Sequence, residues 1–177
     1  MKIFTWHVHG SYLYYLSQGN YDLYIPVNKD KTAGYGGRGT IFPVGENVIE
    51  IPTEEVVNYD FDIILFQSKE NYLNDQYTTL SIEQRRDTPK IFLEHDPPRE
   101  SPTNTIHVVQ DPEIPVVHVT HFNRLMWHCK TENTYVIEHG LPQPQAAYKG
   151  DINKGIVVIN DLESRGRRLG LEVFLKL

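Results

Sequence analysis

The sequence predicts an α/β fold, a Rossmann-like open parallel sheet with helices on both faces. Three observations predict it. Short apolar runs bounded by Pro, Gly or Asp recur along the chain, and helical stretches separate several of them, the alternation expected of βαβ units. One run, Asp62 to Gln67 (DIILFQ), is apolar without alternation, as a strand covered on both faces should be.

Taken in order, Lys2 to Val8 reads as the first strand, Ser11 to Gln18 as a short aromatic helix and Tyr21 to Val27 as the second strand. Val48 to Ile51, Asp62 to Gln67 and Lys90 to Glu94 follow as strands three to five. Between the last two lies a helical stretch from Lys69 to Arg86, broken at Ser81, where Ser81 and Gln84 have the spacing of a capping box, and closed by Pro89. Val116 to Val119 and Tyr135 to Ile137 are two more strand expectations, with a helix over Asn123 to Cys129 between them. The stretch from Gly140 to Gly155 is rich in Pro, Gly and polar residues and reads as a linker. Beyond it, Ile156 to Asn160 restarts a β-run, and Leu169, Val173, Phe174 and Leu177 fall on one helical face. The expected organisation is a domain over 1–141, a linker over 142–154 and a further β-α unit over 155–177.

Composition narrows the function classes. Of the 177 residues 40% are hydrophobic and 23% charged, which separates the chain from disordered sequences. A formal charge of -6 offers no cationic field for a nucleic-acid backbone, so nucleic acid is set aside as a partner. No apolar run has the ~20 residues of a membrane span, and the start of the chain lacks a signal peptide's apolar core. With one cysteine, Cys129, no internal disulfide can form, and the expected location is the cytoplasm.

The residues with most chemistry lie where strands end. Leu93 to Glu100 (LEHDPPRE) closes the fifth strand with His95 between Glu94 and Asp96, and ligands of open parallel sheets bind at such carboxyl ends. A histidine beside a carboxylate serves as a proton carrier tuned near neutrality or as a hydrogen-bonding partner of a sugar hydroxyl; the plain alternative is a rigid Asp-Pro-Pro turn. His7 and His9 share a face at strand period two, and His118 and His121 form a second pair, a weak pattern for a metal. Gly34 to Gly39 matches G-x-G-x-x-G in letters, but no helix follows it, so it reads as a substrate-facing or surface loop. Glu138-His139-Gly140 is either an exit turn or a ligand contact, and Arg165 to Arg168 is either a phosphate-binding turn or a solvated face.

The order of these pieces resembles the GT-B glycosyltransferases, specifically glycosyltransferase family 4. The resemblance rests on Trp6 to Leu16, Ile91 to Pro98, His118 to Trp127 (HVTHFNRLMW), Val136 to Leu141 (VIEHGL) and Ile156 to Gly170. It implies an acceptor-side domain followed by the opening of a donor-side domain, with a nucleotide-diphosphate sugar as substrate, a carbohydrate or small-molecule acceptor, and neither cofactor nor metal. By this resemblance His95 is the histidine near the reacting sugar and the expected catalytic residue. Gly10, Arg165 and Arg167 are expected at the donor phosphates, and His7, His9, Glu94, Asp96 and Arg99 at the acceptor. Two departures stand out: Asn160-Asp161 occupies the place of the family's Gly-Arg pair, and the sequence ends at Leu177 before a glutamate-bearing donor motif. The 177-residue chain alone is therefore expected to be inactive, with a complementing C-terminal domain or a second copy as candidate partner. The expected activity is retaining hexosyl transfer. A non-catalytic carbohydrate or nucleotide-sugar binding module is the alternative, and a metal-dependent hydrolase a third reading.

Overall fold

The computed structural model describes residues 1–101, 104–142, 149–159 and 161–177, with the backbone alone at 168. The chain divides into two compact units, Met1–Pro142 and Gln143–Leu177. The first is built on a seven-stranded sheet, all of whose pairings are parallel: β1 (Lys2–Thr5), β2 (Asp22–Val27), β3 (Val48–Pro52), β4 (Ile63–Phe66), β5 (Lys90–Glu94), β6 (Val116–His118) and β7 (Thr134–Val136). Their order across the sheet is β3-β2-β1-β4-β5-β6-β7. The chain thus winds outward from β1 in one direction, returns to place β4 on the other side of β1, and winds outward again. The seam between β1 and β4 is the switch point at which an open parallel sheet opens a crevice at its carboxyl edge.

Period-two alternation sorts the apolar residues into two cores, one on each face. Phe4, Ile64, Phe66, Phe92 and Val116 belong to one cluster, with Trp6, Val56 and Leu80. Ile3, Leu23, Ile25, Leu65 and Leu93 belong to the other, against Leu13 of α1 (Gly10–Leu16). The first strand is shorter than its apolar run suggests because the chain leaves the sheet at Trp6, whose fully buried indole stacks 5.8 Å from Phe66.

After β4 a π-helical turn (Asn71–Asp75) runs into α2 (Gln76–Thr79), and the helical stretch breaks where the capping box was expected. Ser81 Oγ accepts from Gln84 N at 3.1 Å and Gln84 Oε1 from Ser81 N at 2.9 Å, which opens α3 (Ile82–Asp87). The Gln84 amide also donates to Val56 O and Tyr59 O, at 2.9 and 2.7 Å, tying α3 to the 3-10 turn after β3. α4 spans His121–Met126, two residues earlier than its apolar pattern, because the Thr120 side chain caps it by accepting from Asn123 N.

The second unit holds α5 (Leu162–Arg165), a 3-10 turn (Gly166–Leu169) and α6 (Leu171–Phe174). The strand expected over Ile156 to Asn160 is not formed at 156–159, and Asn160 lies outside the described residues. An isolated apolar segment has no neighbour to satisfy its backbone, and β structure exists only in pairs. The single helical face expected through Leu169 and Leu177 is likewise interrupted, because Gly166 and Gly170 adopt φ of 53° and 83°, outside helical geometry. Residues 143–148 of the expected linker lie outside the described residues. Among the described residues no helix is long and apolar enough to cross a membrane.

Candidate functional site

Four strand ends of the first unit converge on His95. β5 carries it one residue beyond Glu94, β1 leads to His9, β4 ends beside Gln67, and β7 is followed at three residues by His139. The ring of Tyr12, from the first turn of α1, meets His95 edge-to-face at 4.1 Å and His139 at 4.8 Å between centroids. His9 lies 5.9 Å from His95 at nearly a right angle, and His139 stacks 6.2 Å away on it. Three imidazoles thus gather at the carboxyl edge of the sheet, two of them, His95 and His139, packed on one phenol.

The His95 ring is anchored from within. Its Nε2 lies 3.3 Å from Gln67 Oε1, and the Gln67 Nε2 donates to Thr5 Oγ1 at 2.7 Å and to Trp6 O at 3.2 Å. Its backbone is held by α4: Asn123 Nδ2 donates to His95 O at 2.8 Å, and Trp127 Nε1 to Asp96 O at 2.8 Å. Burial, reinforced by the positive charge that His9 and His139 can acquire, lowers the His95 pKa to about 4, against the opposing pull of Asp96. The proton carrier tuned to neutrality that the flanking acids suggest is therefore not what this environment produces. At neutral pH His95 is an uncharged imidazole, suited to hydrogen bonding with hydroxyl groups. Tyr12 is held as a neutral phenol, its pKa pushed up to about 12 by burial and by Tyr21.

Glu94 and His95, adjacent in sequence, go to opposite faces of β5. Glu94 shares the face of Phe92, where its Oε1 accepts from Asp96 N at 3.0 Å and its Oε2 lies 3.1 Å from Nε2 of the buried His107. His107 Nδ1 in turn accepts from Val109 N at 3.1 Å. The His107 ring packs edge-on to Phe92 and Trp127, at 4.8 and 5.1 Å. Glu94 thus joins the β5 turn to the loop that follows it rather than joining His95 at the cluster. That loop is further pinned to the segment after α4 by His107 N donating to His128 O and His128 N to Thr105 O, at 3.0 and 3.1 Å.

The other predicted site residues are dispersed. His7 donates from Nδ1 to Gly37 O, and the glycine loop crosses the ends of β1 and β2 through bridges from Gly34 to His7 and from Gly36 to Val27. The loop is thereby tied to the sheet instead of forming a phosphate turn before a helix. Gly10 opens α1 beneath Phe42, where an added Cβ would come within 3.1 Å of that ring. Arg99 pairs with Asp96 at 2.5 Å in an exposed contact. Arg165 ends α5 and Arg167 lies in the following 3-10 turn, 3.9 Å from Glu172, both within the second unit. The side chain of Arg168 lies outside the described residues.

His118 and His121 diverge, His118 fully buried in β6 and His121 exposed at the start of α4. His118 Nε2 sits 3.7 Å from Cys129 Sγ, with the imidazole pKa lowered to about 4 and the thiol raised to about 11, burial being the main cause of both. Such a thiol stays protonated and is a poor nucleophile. Among the described residues no group of three or more His, Cys, Asp or Glu side chains is arranged to hold a metal ion.

Against family models, curated proteins and solved structures, the chain matches none. Tyr12, Gln67, His107 and Asn123 carry much of this geometry without having stood out as site residues in the sequence. Gln67 had one readable signal, a polar amide closing the otherwise apolar run of β4.

Proposed function

We propose that the chain acts in glycosyl transfer, as the acceptor-side part of a GT-B glycosyltransferase moving a hexose-type sugar from a nucleotide-diphosphate donor to a hydroxyl acceptor. The observation that carries this reading is the uncharged His95, embraced by Tyr12, His9 and His139 at the switch point of a parallel sheet. Neutral imidazoles accept and donate hydrogen bonds to sugar hydroxyls without the desolvation cost of a charge, and ring faces pack against the C–H surface of a pyranose. In this reading His95 contacts the reacting sugar, while His9 and His139 line the acceptor. The donor diphosphate is assigned to Gly10, as the sequence resemblance implies.

The test is a hexosyl-transfer assay of the full reading frame with a panel of nucleotide sugars, beside the His95→Ala variant. Turnover of one donor, lost on substitution with binding retained, supports the enzyme. Sugar binding that survives His95→Ala in a protein with no turnover of any donor supports the binding module instead.

A further inference from the structure

We infer that Gln67 is the positioning residue that locks His95 as its Nε2–H tautomer, leaving Nδ1 as the only nitrogen of that ring able to accept a hydrogen bond or a proton. The argument runs through donors and acceptors that have no freedom to exchange roles. Thr5 Oγ1 donates its single proton to Leu65 O at 2.9 Å, so it can only accept from Gln67. Trp6 O, a carbonyl, can only accept as well, at 3.2 Å. Both contacts are made by the same atom of Gln67, so that atom is the NH2 group, and the atom facing His95 is the carbonyl oxygen. A carbonyl oxygen 3.3 Å from His95 Nε2 requires the proton on that nitrogen. Gln67 and Thr5 are both buried, at 6% and 0% exposure, so water does not offer either of them a substitute partner.

The alternative tautomer would set the Nε2 lone pair against the Gln67 oxygen and lose this hydrogen bond. Oxygen and nitrogen of the amide cannot be swapped to relieve it, because the NH2 group would then abandon two acceptors at once. Any acceptor hydroxyl that His95 serves under the proposed glycosyl transfer must approach Nδ1. The inference rests on that reading only for the role of His95, and the tautomer itself can be measured without substrate.

Long-range 1H–15N NMR of the histidine-labelled chain at neutral pH tests it, the His95 signals being assigned by their disappearance in His95→Asn. The wild type is expected to show Nε2 protonated and Nδ1 bare, and in Gln67→Met the tautomer ratio should fall by about tenfold toward the Nδ1–H form. A protonated Nδ1 in the wild type, or an unchanged ratio in a folded Gln67→Met, overturns the inference. Should Gln67→Met fail to fold, the wild-type spectrum decides alone: a bare Nδ1 with Nε2 protonated supports the inference, and a protonated Nδ1 overturns it. A correct tautomer in a protein without sugar transfer leaves this inference standing and removes the glycosyltransferase reading.

Discussion

Replacing Glu94 by Gln tests how the turn that bears His95 is held. His107 Nδ1 accepts from Val109 N, so the proton of that ring sits on Nε2 and is donated to Glu94 Oε2; Asp96 N donates to Oε1. Two donors converge on two carboxylate oxygens, and an amide has one oxygen to offer. Whichever way the substituted amide turns, one N–H faces an NH2 group. The side chains concerned are 0% and 14% exposed, so water cannot make good the loss, and an unsatisfied buried donor costs about 1–3 kcal/mol. For a chain of this length about 2 kcal/mol corresponds to a fall of roughly 4–8 °C in Tm. Urea denaturation followed by circular dichroism, with the m-value unchanged, is the measurement. In a His107→Phe background, which keeps the edge contacts to Phe92 and Trp127, Glu94→Gln should cost markedly less. A loss below about 0.5 kcal/mol in the otherwise native chain would refute the donor count.

Three further outcomes are expected. Ser81→Ala removes the capping oxygen of α3 and should lower stability by about 1 kcal/mol in the same urea assay. Gly37→Ala would press a Cβ into the Glu50 carboxylate at a φ of 71° and should cost roughly 1–3 kcal/mol, whereas Gly36→Ala, with nothing within 4 Å, should stay within about 0.5 kcal/mol. Acid should weaken the fold: His95, facing His9, His139 and Asp96, and His118, facing His107, Arg124 and Cys129, are both depressed from 6.5 to about 4. The unfolded chain then binds more protons across that interval, so stability falls as the pH drops through it, by at most about 3 kcal/mol per histidine. Stability curves of His95→Gln and His118→Gln between pH 7 and 4 should each be flatter than that of the native chain.

The parallel sheet was legible because its strands are nearly continuous apolar runs, and DIILFQ in particular carries β4 with no competing periodicity. Ends were less legible where side chains set them: Thr120 starts α4 ahead of its apolar pattern, and the burial of Trp6 takes the chain out of β1 early. The run after Gly155 shows the limit of pattern reading, since apolar residues propose a strand but only a neighbouring strand can complete one. At the site, the position of His95 followed from strand-end logic. The divergence of Glu94 from it was available too, as adjacent strand residues face opposite ways. The His107 contact was not, because nothing local brings residue 107 back to residue 94; long-range packing of the intervening loop does. The low proton affinity of His95 was hidden for the same reason, depending first on burial by long-range packing and then on His9 and His139 arriving from distant parts of the chain.

The seam between β1 and β4 joins residues sixty positions apart, as in the bond from Thr5 to Leu65. Closing so long a segment costs chain entropy before any neighbour rewards it. The imidazole cluster straddles that same junction and exists only once both halves of the winding have met. Its NMR signature is therefore a marker of completed folding, and a molecule bound there would act as a clasp, slowing the separation of the two halves.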